Sequence, residues 1–228
     1  MQVSARLLPT RIPRSATAAV VVLHGGGSRG GAMPVSPTQL SVVRMIPIAH
    51  RVAHAGRGRL AVWRLLNSVR GWDGKHTPVD DVRWALDRIR EQVPSGTPIG
   101  LIGHSLGGRA AILSAGADDV RSVVALAPWV HPQDGDVDAP GRKVLFVHGS
   151  ADRVASPQRA HAAAERLAHT AQVGVIQVRN GGHAMLRRHR TFDGLAADFA
   201  VATLLGKAAA DPRGPLGRIL GGAASAVA

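Results

Sequence analysis

The stretch "IGLIGHSLGG" at residues 99–108 decides how the chain is read. An aliphatic run leads into Gly-His-Ser-Leu-Gly, and "SLGGRAAILSAG" then continues with the composition of a helix. The pattern G-x-S-x-G over 103–107 therefore falls where a strand turns sharply into a helix. A turn that tight strains its central residue and lifts the Ser105 hydroxyl clear of the sheet. Gly103 and Gly107 remove the side chains that would strike neighbouring backbone. The helix start also favours negative charge beside the serine. Five residues alone are a weak signal; placed between strand and helix, they are a strong one.

Working outward, short aliphatic runs alternate with longer helical patterns. That rhythm predicts an α/β fold with a mostly parallel central sheet and helices on both faces. "AAVVVLH", "LAVWRLL", "VRSVVALAP", "KVLFVHG" and "VGVIQVRN" read as further strands. "PVDDVRWALDRIREQV" is the clearest helix, with Asp80 and Asp81 in its first turn and Val82, Leu86, Ile89 and Val93 on one stripe. Residues 36–56 read as one helix disturbed at Pro47. "SPQRAHAAAERLAHT" and "AMLRRHRTFDGLAADFAVATLLG" read as later helices, and the tail "GGAASAVA" as frayed. No linker or repeat divides the chain, so 1–228 reads as a single domain, with 1–17 and 208–228 peripheral.

Composition narrows the classes. The chain has no cysteine, which excludes disulfides, thiolate metal sites and a Cys nucleophile. No run approaches the ~20 apolar residues of a membrane span, and the first residues lack the apolar centre of a secretory signal. A cytoplasmic protein is expected. The net charge of +13 is uneven: ten arginines precede the first acid, Asp73. Such a balance suits anionic partners. With no Tyr and three Phe, however, no basic stretch is interleaved with aromatics, so a nucleic-acid platform is not expected.

These residues together resemble the α/β-hydrolase-fold serine hydrolases, small bacterial esterases and dienelactone-hydrolase-like enzymes above all. The resemblance covers roughly residues 18–206 and carries the chain order Ser, then Asp, then His. It implies Ser105 as nucleophile, His183 in "RNGGHAM" as base, and Asp152 in "VLFVHGSADRVASP" as the acid that orients the base. Asp134, Asp136 and Asp138 are rival acids that read as solvated loop carboxylates. "HGGG" at 24–27 implies an oxyanion hole built from the Gly26 N–H, with Gly27 as a second candidate, and the Leu106 N–H. The competing dinucleotide reading of residues 25–30 needs an acid about 20 positions onward. None occurs between Gly31 and Trp72. His24 is expected to brace the loop and His104 to pack under the turn. His148, His161, His169 and His189 read as structural or solvated.

Only "PWVHPQDGDVDAPGRK" occupies the place where many relatives insert a lid. An open site is expected, with Trp129 and Trp72 as candidate aromatic walls and Gly27 on the substrate side. The expected function is cleavage of a short-chain or surface-accessible carboxylic ester through an acyl-enzyme, with neither metal nor cofactor. Polymeric esters are a further possibility that Trp129 suggests through the resemblance. Thioesterase, peptidase and acyltransferase activities would use the same residues. A basic anion-binding or nucleic-acid-binding scaffold is the non-enzymatic alternative.

Overall fold

A computed structural model describes residues 5–27, 33–72, 77–206, 209 and 212–228. Eight strands form one sheet: β1 (Arg6–Arg11), β2 (Ala18–Leu23), β3 (Leu60–Leu66), β4 (Ile99–His104), β5 (Val120–Leu126), β6 (Lys143–Gly149), β7 (Gln172–Val178) and β8 (Ser225–Val227). Their spatial order is β1-β3-β2-β4-β5-β6-β7-β8. Only β1 runs antiparallel to its neighbour; every other pairing is parallel. This is the α/β-hydrolase fold.

Helices cover both faces, so the central strands carry apolar side chains on both sides. Every residue of β2 and β4 is buried, which is why these strands read as continuous rather than alternating runs. On one face α2 (Met45–Ala55) and α6 (His189–Leu204) bury Met45, Ile48, Phe192 and Phe199 against Val20, Val22 and Val124. On the other face α3 (Thr77–Arg90), α4 (Leu106–Leu113) and α5 (Pro157–Leu167) bury Leu86, Ile89, Ile112 and Leu167 against Val21, Leu101 and Phe146. Each such large side chain contributes about 1.5–3 kcal/mol when fully removed from water.

Two expectations are corrected. The segment 36–56 is two helices, α1 (Leu40–Val43) and α2, with the break at Arg44. Proline at 47 has no N–H for the Val43 carbonyl and crowds it, so the first helix stops there. Within the first turn of α2 the missing donor costs nothing. The tail does not fray: α7 (Gly214–Leu220) leads to β8, which pairs with Val175–Gln177 of β7. The N-terminal segment likewise supplies β1, an edge strand whose pairing shifts between Pro9 and Arg11. An edge tolerates the donor that proline lacks.

The strand order places the site. From β2 the chain moves to β3 on one side, then crosses back to β4 on the other. The loops leaving the carboxyl ends of β2 and β4 therefore diverge and leave a crevice between them. Residues 24–27 and Ser105 lie at those two strand ends. Residues 28–31, the end of the glycine-rich stretch, lie outside the described residues.

Candidate active site

Ser105 sits at φ 55°, ψ −118°, between β4 and α4. A left-handed φ is unfavourable for any residue with a Cβ. The surroundings impose it through close backbone contacts. A Cβ on Gly103 would lie 2.1 Å from the Gly107 carbonyl oxygen, and one on Gly107 would lie 2.5 Å from the His24 carbonyl oxygen. Only glycines permit this turn. The Ser105 N–H is anchored on the Leu126 carbonyl (3.0 Å), and the Ser105 carbonyl accepts from Arg109 and Trp129.

The His183 imidazole reaches both expected neighbours. Its Nδ1–H donates to Asp152 Oδ2 (2.9 Å), and its Nε2 accepts from the Ser105 hydroxyl (3.0 Å). The carboxylate can only accept, so it fixes which ring nitrogen carries the proton. Such an imidazole can take the hydroxyl proton and become a cation beside an anion. Its own loop is braced twice: His104 Nε2–H donates to the His183 carbonyl (2.9 Å), and Arg44 Nε donates to the Ala184 carbonyl (3.1 Å). Arg44 also pairs with Asp193 at 2.7 Å.

Asp152 is held from every side. Its Oδ1 accepts the N–H groups of Val154 (2.8 Å) and Ala155 (3.0 Å). Its Oδ2 accepts a second imidazole, His148 Nε2–H, at 3.1 Å, which also shares the Ala155 carbonyl at 3.2 Å. Burial pushes this carboxyl up, but the donors from His148, His183, Ala155 and Val154 together outweigh it. They hold Asp152 well below the usual carboxylate range. His148, read from sequence as a structural or solvated histidine, is thus a direct partner of Asp152. The available signal was its place four residues earlier, at the end of the same strand.

The glycine loop packs against the serine. A Cβ on Gly25 would lie 3.2 Å from Ser105 Cβ, and one on Gly26 would lie 2.0 Å from the Arg70 carbonyl oxygen. His24 braces this loop. It accepts the Asn67 N–H on Nε2 (3.1 Å), so its Nδ1–H donates to the Gly25 carbonyl (2.6 Å). In a trans peptide the carbonyl and the following N–H point oppositely. Fixing the Gly25 carbonyl therefore turns the Gly26 N–H away from His24. Gly27 differs: its N–H is committed to the Arg70 carbonyl at 3.2 Å, which removes it as a second anion donor, although it does line the cavity. Leu106 opens α4, so its N–H has no acceptor within the helix. Burial, then the neighbouring His183 and Arg44, push the His104 imidazole down to about 3, so it stays neutral; burial lowers His24 too.

A cavity of about 560 Å³ opens on Ser105, bounded by Gly26, Leu106, Trp129 and His183 among others. That size suits a small organic group. Between β5 and β6 there is only a single 3₁₀ turn, Pro132–Gly135, in place of a cap. Trp129 lies on the cavity wall. Trp72 does not: its ring stacks on the Arg109 guanidinium, 4.1 Å from the centroid, with Trp129 5.8 Å from the same cation. Arg109 in turn makes two hydrogen bonds to Asp134, at 2.8 and 3.0 Å. Asp134 is therefore a buried, paired carboxylate rather than a solvated one. Asp136 is exposed and pairs with Arg166, and Asp138 is exposed. No group of metal-ligating side chains occurs among the described residues.

Comparison with known proteins agrees with the fold. Residues 84–192 match the family model described as "Alpha/beta hydrolase family". Human monoglyceride lipase is 33% identical over 107 residues, 47% of this chain; the aligned part is only 32% of the human protein. Among solved structures, XC6422 from Xanthomonas campestris, described as an a/b serine hydrolase without lid, superposes with a TM-score of 0.64. It is 21% identical and covers 87% of this chain and 88% of its own. Est1E from Butyrivibrio proteoclasticus gives 0.63 at 14% identity, over 88% and 94% of the two chains.

Proposed function

With the chain an α/β-hydrolase-fold protein, we propose that it is a serine hydrolase cleaving short-chain or surface-accessible carboxylic esters through an acyl-enzyme. The observation that carries this reading is the single imidazole of His183, within hydrogen-bonding reach of Ser105 Oγ on one side and Asp152 on the other. Ser105 Oγ attacks the ester carbonyl carbon as its proton passes to His183 Nε2. The carbonyl π electrons move onto oxygen, and the N–H groups of Gly26 and Leu106 hold that anion. Its collapse breaks the bond to the alkoxy group, which leaves as an alcohol with the proton from His183. Water then attacks the acyl-serine, gives its proton to His183, and releases the carboxylic acid as Ser105 regains its hydrogen.

Asp152 has two tasks in this cycle. It keeps Nε2 free to accept, and it stabilises the imidazolium as that charge forms. Proton transfer by the histidine is worth on the order of 10² to 10⁴ in rate, and one oxyanion donor about 10² to 10³. Trp129, on the cavity wall, supplies an apolar face for the bound ester.

The test is hydrolysis of p-nitrophenyl esters from acetate to palmitate, beside Ser105→Ala. The expected result is turnover that falls with chain length and drops by at least about 10³ in the variant. Equal rates for variant and parent would overturn the serine mechanism.

A further inference from the structure

Seven large apolar side chains are exposed among the described residues, and their placement is uneven. Leu40 (85% exposed), Val43, Val154 (66%) and Leu186 (67%) all border the cavity that opens on Ser105. Met33 lines the hollow beside it. Leu40 and Val43 come from α1, Val154 from the loop that carries Asp152, Leu186 from the loop that carries His183, and Met33 from the segment before α1. Apolar side chains gathered from unrelated loops into one exposed ring mark an interaction surface rather than scattered surface residues.

Exposed cations flank two members of that ring in the chain. Arg153 precedes Val154, while Arg187 and Arg188 follow Leu186, and all three are exposed. None of the three pairs with a carboxylate among the described residues. We propose that the mouth of the cavity docks on an anionic lipid–water interface, and that the ester it takes is a short-chain one displayed in that interface. This rests on the reading of Ser105 as an esterase nucleophile. Two observations select the occupant. A second copy of a chain carrying +13 would bring like charges together. A protein partner seated on the ring would seal the cavity, whereas a lipid surface both covers the ring and delivers acyl esters through it. The apolar side chains enter the acyl boundary and the arginines meet the lipid phosphates. No helix among the described residues is long and apolar enough to cross a membrane.

The test is co-sedimentation of the full chain with phosphatidylcholine vesicles, with and without phosphatidylglycerol, in parallel with hydrolysis of monomeric p-nitrophenyl butyrate. Binding is expected only to the anionic vesicles, weakening as salt rises. Arg187→Gln/Arg188→Gln weakens it by roughly 25-fold, about fivefold per cation, with butyrate turnover unchanged. Leu186→Ser weakens it by roughly tenfold. Absent binding with butyrate turnover intact would overturn the docking face and leave the esterase reading standing. Arginine-dependent binding that ignores Leu186→Ser and is matched by soluble polyglutamate would also overturn it, as simple charge attraction. Vesicle binding without hydrolysis of any ester would instead remove the esterase reading, and with it the ester-delivery half of the proposal.

Discussion

Two buried carboxylates lie in the loops after neighbouring strands, and they differ in what faces them. Asp134, after β5, meets the guanidinium of Arg109, which Trp72 and Trp129 flank. Asp152, after β6, meets two imidazoles and two backbone N–H groups. A guanidinium never gives up its proton near neutral pH, so the first pair is a fixed brace. An imidazole can, so the second arrangement has a proton to move. Burial is common to both sites; a titratable partner is what makes one of them able to do chemistry.

The contrast can be broken at Asp152 first. Asp152→Asn keeps the shape but offers His183 an amide, which no longer dictates the ring tautomer. Turnover is expected to fall about 10⁴-fold at a temperature where the variant is folded, read by ester hydrolysis. The melting temperature, read by calorimetry, is lowered as well, because the ionised acceptor of four N–H groups is lost. Retained turnover would mean that another group orients His183.

Acid sharpens the contrast next. The His104 value is depressed, so between about pH 6.5 and 3 the unfolded chain binds a proton there that the folded chain refuses. Stability therefore falls as pH falls across that window, by on the order of 5 kcal/mol at its end. The depressed Asp152 acts in the same direction at lower pH: its contribution is present above the usual carboxylate range and is lost as pH falls through its folded value. Denaturant titrations at several pH values should show the slope, and His104→Gln should flatten its upper part.

Asp134→Asn tests the brace. It leaves a buried guanidinium without its counter-charge, at a cost of about 3–5 kcal/mol, or roughly 10 °C in melting temperature. Turnover at a temperature where the variant is folded should change far less than in Asp152→Asn. The smallest effect belongs to His148→Phe, which removes one donor from Asp152 Oδ2. A roughly tenfold loss in kcat with KM unchanged is expected, recovered in His148→Gln, whose amide can still donate.

The same comparison shows what the sequence could and could not disclose. The turn at Ser105 was legible because its requirements are local: glycines at 103 and 107, and a strand and a helix on either side. The central strands were legible because burial on both faces leaves an unbroken aliphatic run. The partner of Asp134 was not legible, since Arg109 lies 25 positions earlier and only the packing of α4 against the 3₁₀ turn joins them. Once Arg109 is placed, Trp72 is drawn to it and away from the cavity wall. The edge strands β1 and β8 escaped notice for a different reason. Each is paired on one side only, and its residues are mostly exposed or half-buried, so neither carries the apolar pattern that marks an interior strand.

The twisted backbone at Ser105 bears on anyone who would make this protein more robust. A glycine at that position would adopt φ 55° without a steric penalty, so Ser105→Gly should melt higher than the parent while lacking the proposed nucleophile. Screens that rank variants by heat resistance alone would reward that inert protein. Selection for durability therefore has to be coupled to a turnover assay, because at this residue the two qualities pull in opposite directions.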